Sequence, residues 1–237
     1  MTNTYSTQWF DTFLAPVPSA QTEREIQFLV AHLPQATHPT ILDICCGRGR
    51  HARELSQRGY CVTGLDVNEY VLEYARRVDS RSRYVHGDMR ALDASLRRAQ
   101  HETFDAVLIL WQSFGHFDDA TNEHIVKQIA ALLKLRGKLI LDIYNREFFE
   151  NHQGERVIRT EPRRVLERKW LRGNRIFVEL DYGDARDEFE WQIFYPDEIS
   201  ALAARFGLNE ILRCANFEEN SAPSPEIPRM QFVFQKP

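Results

Sequence analysis

Three aspartates and a pair of glycines lie at or near the ends of short apolar runs. In "ILDICCGRGRH", Asp43 lies in an apolar run that leads directly into Gly47 and Gly49. Glycines there permit a tight turn and let a ligand lie against bare backbone, while a helix that starts behind them offers unpaired amide groups. Asp66 ends the run "CVTGLD", where a carboxylate can accept hydrogen bonds from the two hydroxyls of a ribose; its plain alternative is to cap the next helix. In "VHGDM", Asp88 can accept from an exocyclic amine and the Met89 thioether can cover a ring, or Asp88 can be a helix cap. Together these groups describe a seat for a nucleoside at the ends of strands.

A second set of residues suits a reacting partner. "LWQSFGHF" carries Trp111, Gln112, Phe114 and His116, and an imidazole in that position can act as a base or orient an acceptor, with simple packing as the alternative. Tyr144 and Asn145 close a later apolar run and can face the same acceptor. Tyr5, Trp9 and Phe10 form an aromatic amino-terminal segment that can fold over a pocket as a lid or anchor the terminus. Cys45 and Cys46 read as packing residues, since free cysteine behaves as a small apolar side chain unless its thiol is activated.

The elements that must position these groups alternate. Thr22 and Glu25 have the spacing of a capping box, with Ile26, Leu29, Val30 and Leu33 on one helical face behind them. Ile41 to Cys45 and Cys61 to Asp66 read as buried strands around a helix over His51 to Arg58 that Gly59 can end. Such a crossover implies parallel strands. A helix over Asn68 to Val78, strands over Arg83 to His86 and Asp105 to Trp111, a helix over Asn122 to Leu135 and the strand Leu139 to Tyr144 continue the rhythm. Repeated units of this kind predict a doubly wound α/β sheet. "RRVLERKWL", "RIFVELDY" and "EFEWQIFY" then follow without long helices, and "RGN" suits a hairpin turn, so residues 155–195 are expected to form an antiparallel insertion. Trp170, Phe177, Phe189, Trp191 and Phe194 are expected on one packing face of that sheet, which can also serve as a dimer surface. A helix from Pro196 or Asp197 and two strands pairing across the proline-rich loop Ser221 to Pro228 end the chain.

Composition excludes several classes. The 237 residues carry a formal net charge of -4, with 43% hydrophobic and 27% charged residues, which is ordinary for a globular protein and gives nucleic acid no general attraction. The longest apolar run, "AVLILW", is far below the roughly 20 residues needed to span a bilayer. The start "MTNTYSTQWF" has no secretory pattern, and the four cysteines match neither metal-ligand spacing nor a disulfide framework, so a cytoplasmic protein without a metal is expected. The third glycine of a dinucleotide fingerprint is here Ala52, and no phosphate-binding G-x-x-x-x-G-K-[ST] occurs.

The segments "LDICCGRGRHARELSQRGYCVTGLDVN", "YVHGDMRAL", "FDAVLILWQSFGHF" and "GKLILDIYNREFF" resemble the class I S-adenosylmethionine-dependent methyltransferases, and "YPDEISALAARFGL" with "RMQFVFQKP" resembles small-molecule members with a β insertion after the fifth strand. The resemblance implies a Rossmann-like, mostly parallel seven-stranded sheet in a single domain over residues 1–237, with S-adenosylmethionine as cofactor. By it, Asp43, Gly47 and Gly49 shape the methionine side, Asp66 holds the ribose, Asp88 and Met89 frame the adenine, and Val67 and Trp111 complete the cofactor wall. Cys45 departs from the family, which has a glycine there. The implied reaction is methyl transfer to a small-molecule nitrogen or oxygen, with His116 as catalytic residue and Tyr5, Gln112, Phe114 and Tyr144 toward the acceptor. The other readings are a noncatalytic S-adenosylmethionine-binding protein and an RNA or protein methyltransferase; "LWQS" stands where base-modifying relatives carry an N/D-P-P-Y-type tetrapeptide.

Overall fold

Uninterrupted apolar runs become central strands because a parallel sheet covered on both faces has no solvent side to alternate with. The computed structural model describes residues 3, 5–14, 17–97, 103–160 and 163–237. Its strands are β1 (Thr40–Ile44), β2 (Cys61–Asp66), β3 (Arg83–His86), β4 (Phe104–Ile109), β5 (Leu133–Tyr144), β6 (Gly154–Thr160), β7 (Arg163–Arg172), β8 (Arg175–Asp181), β9 (Arg186–Gln192), β10 (Asn209–Cys214) and β11 (Arg229–Gln235). The helices are α1 (Thr7–Trp9), which runs into a π-helical turn (Phe10–Leu14), then α2 (Ser19–His32), α3 (Arg50–Gln57), α4 (Glu69–Val78), α5 (Leu92–Arg97), α6 (Asp119–Leu132), α7 (Arg146–Asn151) and α8 (Pro196–Ala204).

The seven-stranded sheet has the order β10-β11-β5-β4-β1-β2-β3. Neighbours from β3 across to β5 run parallel, and β11 is antiparallel to both β5 and β10, as the expected carboxy-terminal hairpin requires. Residues of α2, α3 and α4 pack on one face with Ile41, Val62, Ala106 and Leu108, and residues of α5, α6 and α8 pack on the other with Leu42, Ile44, Val107 and Ile109. The chain order reverses between β1 and β4, and in such sheets ligands sit beyond the carboxyl ends of the strands at that point. Asp43, Asp66 and Trp111 all lie at or just beyond such ends.

Two local expectations are corrected. Helix α2 starts at Ser19 behind Pro18, so Thr22 and Glu25 are no capping box; they lie inside the helix, and Glu25 is buried. Helix α6 lies over 119–132 rather than 122–135, because the Asp118 side chain accepts from the Thr121 amide (2.8 Å) and starts it earlier. Residues 136–138 then lie at a bulge within β5: Leu133 pairs with Phe104 and Lys138 with Ala106.

The insertion is an antiparallel meander of order β6-β7-β8-β9, and Gly173 (φ +60°) lies in the expected hairpin turn. The five aromatic residues assigned to one face divide by strand parity. Phe189 and Trp191 are buried with Ile176, Val178 and Leu180, whereas Trp170 and Phe177 stack on each other (5.7 Å). Phe194 belongs to the main core, against Phe114. The loop after β4 is tied to the insertion where the Gln192 amide donates to the Gly115 carbonyl (2.7 Å). A side chain at Gly115 would start 2.3 Å from the Gln192 carbonyl oxygen, which is why glycine stands there.

Candidate active site

A cavity of about 1250 Å³ opens at the strand ends, and Asp43, Gly47, Asp66, Val67, Asp88, Met89, Trp111, His116 and Tyr5 all border it. Gly49, Gln112, Phe114 and Tyr144 do not. Gly49 has φ +72°, and an added Cβ would start 2.3 Å from the Tyr84 hydroxyl, so close packing accounts for it. The Gln112 side-chain amide donates to Asp142 (3.1 Å). Phe114 is buried on Phe194, and Tyr144 packs edge-on against Phe149 (4.9 Å) and Trp191 (5.5 Å). All three side chains are thus engaged in packing or hydrogen bonding beside the cavity wall rather than on it.

The glycine turn is built by Asp66. Its carboxylate accepts from the amides of Gly47 (2.9 Å) and Asn68 (2.9 Å), which ties the first turn to the end of β2, and burial raises its pKa. Asn68, not Asp66, caps α4. Space beyond Gly47 is open on the side where a Cβ would stand, leaving its backbone bare to the cavity. Cys45 takes the family's glycine position with φ +59°, a left-handed conformation unusual for a residue with a side chain, and its buried thiol is pushed well up in pKa. It is therefore a packing thiol rather than a nucleophile.

Asp43 is 2% exposed, and its Oδ2 has no hydrogen-bond partner among the described residues. Burial pushes its pKa up to about 7. A buried oxygen lacking a donor at the wall of a cavity calls for a cationic or hydrogen-bonding ligand group, which the ammonium end of S-adenosylmethionine supplies. The donor-free Asp43, bare Gly47 and the second lone pairs of Asp66 fit an amino-acid tail followed by a ribose. Asp88 borders the expected adenine end, but its carboxylate is also engaged by the Arg90 backbone (2.8 Å) and guanidinium (2.9 Å), so the helix-capping reading is realised as well.

The raised pKa of Asp43 makes a stability prediction. Between the ordinary carboxylate pKa and about 7 the folded chain keeps a proton that the unfolded chain releases, so this group favours folding most at low pH and loses that advantage as pH rises through about 7. Asp43→Asn should thus gain thermal stability relative to the parent on going from about pH 5 to about pH 8. Paired melting curves measure it; no relative gain over that range would show that Asp43 is ionised without penalty.

His116 is buried, with its pKa pushed down to about 4 by desolvation. The Asn3 side-chain amide reaches Nδ1 (3.4 Å), and Nε2 faces the Gln112 carbonyl (3.3 Å). Nδ1 must accept from the Asn3 amide and Nε2 must donate to the Gln112 carbonyl, so the neutral Nε2–H tautomer satisfies both. Asn3 is itself fixed by two hydrogen bonds to the backbone of Glu190 on β9 (2.9 Å each). Tyr5 packs on Phe189 (4.7 Å) and Trp9 (4.5 Å), and Ser6 donates to Asp187 (2.7 Å), so the amino-terminal segment is anchored on the inserted sheet while roofing the cavity. Arg48 from the glycine turn reaches Asp11 (3.2 Å) and lies over Tyr74 (5.2 Å), tying that roof to α4.

Sequence reasoning missed Asn3 and the buried carboxylates of Glu25 and Asp142. Glu25 meets Arg50 (2.7 Å), His51 (2.8 Å) and the Trp111 indole N–H (2.9 Å). Burial opposes its charge, but hydrogen bonds from His51 and Arg50 win and hold its pKa at about 2. Its signal was present: Glu25 stands in the i, i+4, i+8 row of Leu29 and Leu33, on the apolar side of α2.

The comparisons agree with this geometry. Residues 41–137 match the family model described as a methyltransferase domain. The chain is 27% identical over 218 residues to the glycine/sarcosine N-methyltransferase of Aphanothece halophytica, a match covering 84% of this chain and 77% of that one. It is 39% identical over 85 residues to the dTDP-3-amino-3,6-dideoxy-alpha-D-glucopyranose N,N-dimethyltransferase of Streptomyces fradiae, covering 36% of this chain and 30% of that one. Its fold is similar to that of the S-adenosylmethionine-bound amino pentose methyltransferase CalS10 of Micromonospora echinaspora, with a TM-score of 0.72, 23% identity and 100% coverage of both chains. With the strand order, the glycine turn and the matched domain agreeing, the chain is consistent with a class I S-adenosylmethionine-dependent methyltransferase.

Proposed function

We propose that the protein methylates the nitrogen of a small amine. The observation that carries this reading is the roofed cavity: Asn3, Tyr5, Trp9 and Phe10 border the same space as Asp43 and Asp66, leaving room for a small acceptor rather than a polymer strand. Asp43 and Gly47 hold the amino-acid end of the cofactor, Asp66 and Val67 the ribose, Asp88 and Met89 the adenine, and Trp111 the wall between cofactor and acceptor. The bound cofactor supplies an electrophilic methyl group on a sulfonium. What the chain must do is orient the acceptor lone pair, exclude water and let a proton leave the nitrogen afterwards.

His116 orients the acceptor through Nδ1 once the long Asn3 contact yields. An imidazole with a pKa of about 4 is a poor acceptor of a proton from an ammonium group, which favours orientation over general-base catalysis. Nitrogen is preferred to oxygen because the glycine/sarcosine and amino-sugar relatives matched in sequence are N-methyltransferases. The four free cysteines suit a reducing, cytoplasmic setting, and among the described residues no helix is long and apolar enough to cross a membrane. The net charge of -4 and the roof both weigh against a nucleic-acid acceptor.

A homodimer through the inserted sheet belongs to the same proposal. Strand β6 is an edge, and antiparallel pairing of two copies about Val157 would set Glu155 opposite Arg159. Sedimentation showing only monomer would remove that part.

Incubation with labelled S-adenosylmethionine and a panel of amino acids, amino sugars and simple alcohols, read by mass spectrometry, tests the activity. A methylated amine that depends on the protein is expected. Cofactor binding with no product would favour a noncatalytic binding protein, and methylated RNA or protein instead of small amines would overturn the acceptor class.

A further inference from the structure

The backbone just beyond β4 is held in an unusual state. Trp111 (φ +54°) and Gln112 (φ +56°) are consecutive residues with side chains in the left-handed region, which glycine favours and which persists elsewhere only when surroundings enforce it. What surrounds them is Asp142 on β5, which is fully buried. Its Oδ2 accepts from the Trp111 amide (2.8 Å) and the Gln112 side chain (3.1 Å), and its own carbonyl accepts from the Gln112 amide (2.9 Å). Arg229 on β11 donates to both carboxylate oxygens, and Gln231 donates to Oδ1 (2.8 Å). Arg229 also lies over one side of the Trp111 ring (5.0 Å), with Arg50 against the same ring (4.7 Å) and Glu25 on its indole N–H. The turn so held carries the Gln112 carbonyl, and that carbonyl is the partner of His116.

We propose that Asp142 is a positioning residue: with Arg229 it holds the Trp111–Gln112 backbone left-handed and so sets where Trp111 and His116 stand in the cavity. Asp142 does not border the cavity itself, and every side chain that meets its carboxylate is a donor. An amide in its place must turn an N–H toward one of those donors, leaving a buried clash of like groups that the turn relieves by moving. The carboxylate is therefore needed as an acceptor on both oxygens. The consequence for catalysis rests on the reading of His116 given above; the consequence for geometry does not.

The test follows His116 directly by ¹⁵N NMR of histidine rings in Asp142→Asn and, should that variant not fold, in Arg229→Lys, which keeps the charge and loses the paired hydrogen bonds. Release of the turn admits water to the ring, so the titration of His116 is expected to move up from about 4 by roughly one unit or more. The kcat for the acceptor is expected to fall by about tenfold or more. Addition of Gln112→Gly, which makes the left-handed backbone free of strain, should restore part of kcat. An unmoved His116 titration in the folded variant overturns the proposal. A moved titration with unchanged kcat upholds the positioning and sinks instead the role of His116 in methyl transfer.

Discussion

Asp66→Ala should bind S-adenosylhomocysteine at least about tenfold more weakly than the parent while remaining folded. The carboxylate has two tasks. It fixes the glycine turn through the Gly47 and Asn68 amides, and it borders the cavity at the end of β2, where the proposed ribose contact would be made. Hydrogen bonds to a charged group are each worth roughly 1.5–3 kcal/mol, so loss of even one ribose contact reaches the tenfold mark before any slackening of the turn is added. Folding should survive because the sheet core beneath is apolar and untouched. Calorimetric titration measures the affinity, and circular dichroism checks the fold. Parent-like affinity would mean that Asp66 serves the turn alone.

His116→Ala should have the opposite signature. Cofactor affinity is expected to change little, because His116 stands on the acceptor side with Asn3 and Tyr5, whereas turnover should fall by about 10²-fold through lost orientation. The pH profile separates orientation from base catalysis. With a pKa of about 4, His116 is neutral throughout the physiological range, so the parent profile above about pH 6 should reflect deprotonation of the acceptor amine and keep its shape in the variant. An inflection near neutrality that disappears in His116→Ala would contradict this and make His116 the base. Parent turnover in the variant would remove it from the reaction.

The cofactor half of the site was legible because its chemistry is local. Gly47 follows Asp43 by four residues, Asp66 ends β2 and Asp88 lies two residues beyond β3, so strand ends alone bring them together. The acceptor half was not, because the direction of the chain beyond β4 depends on two left-handed residues that no propensity foretells. That reversal turns Phe114 into the core and leaves His116 at the cavity. Its cause, Asp142, lies some thirty residues onward in a strand whose apolar neighbours read as simple core, and Glu25 meets Trp111 across a still longer separation. The inserted sheet was legible as strands, yet its faces needed parity: Phe177 alternates with the buried Ile176 and Val178 and so could not share their side.

The measurement that bears most directly on the central claim is a calorimetric titration of the purified protein with S-adenosylhomocysteine and, separately, with NAD. The open backbone at Gly47, the donor-free oxygen of Asp43 and the carboxylate of Asp66 predict saturable binding of S-adenosylhomocysteine, tighter than that of NAD. Tighter binding of NAD, or no heat of binding with S-adenosylhomocysteine, would contradict it.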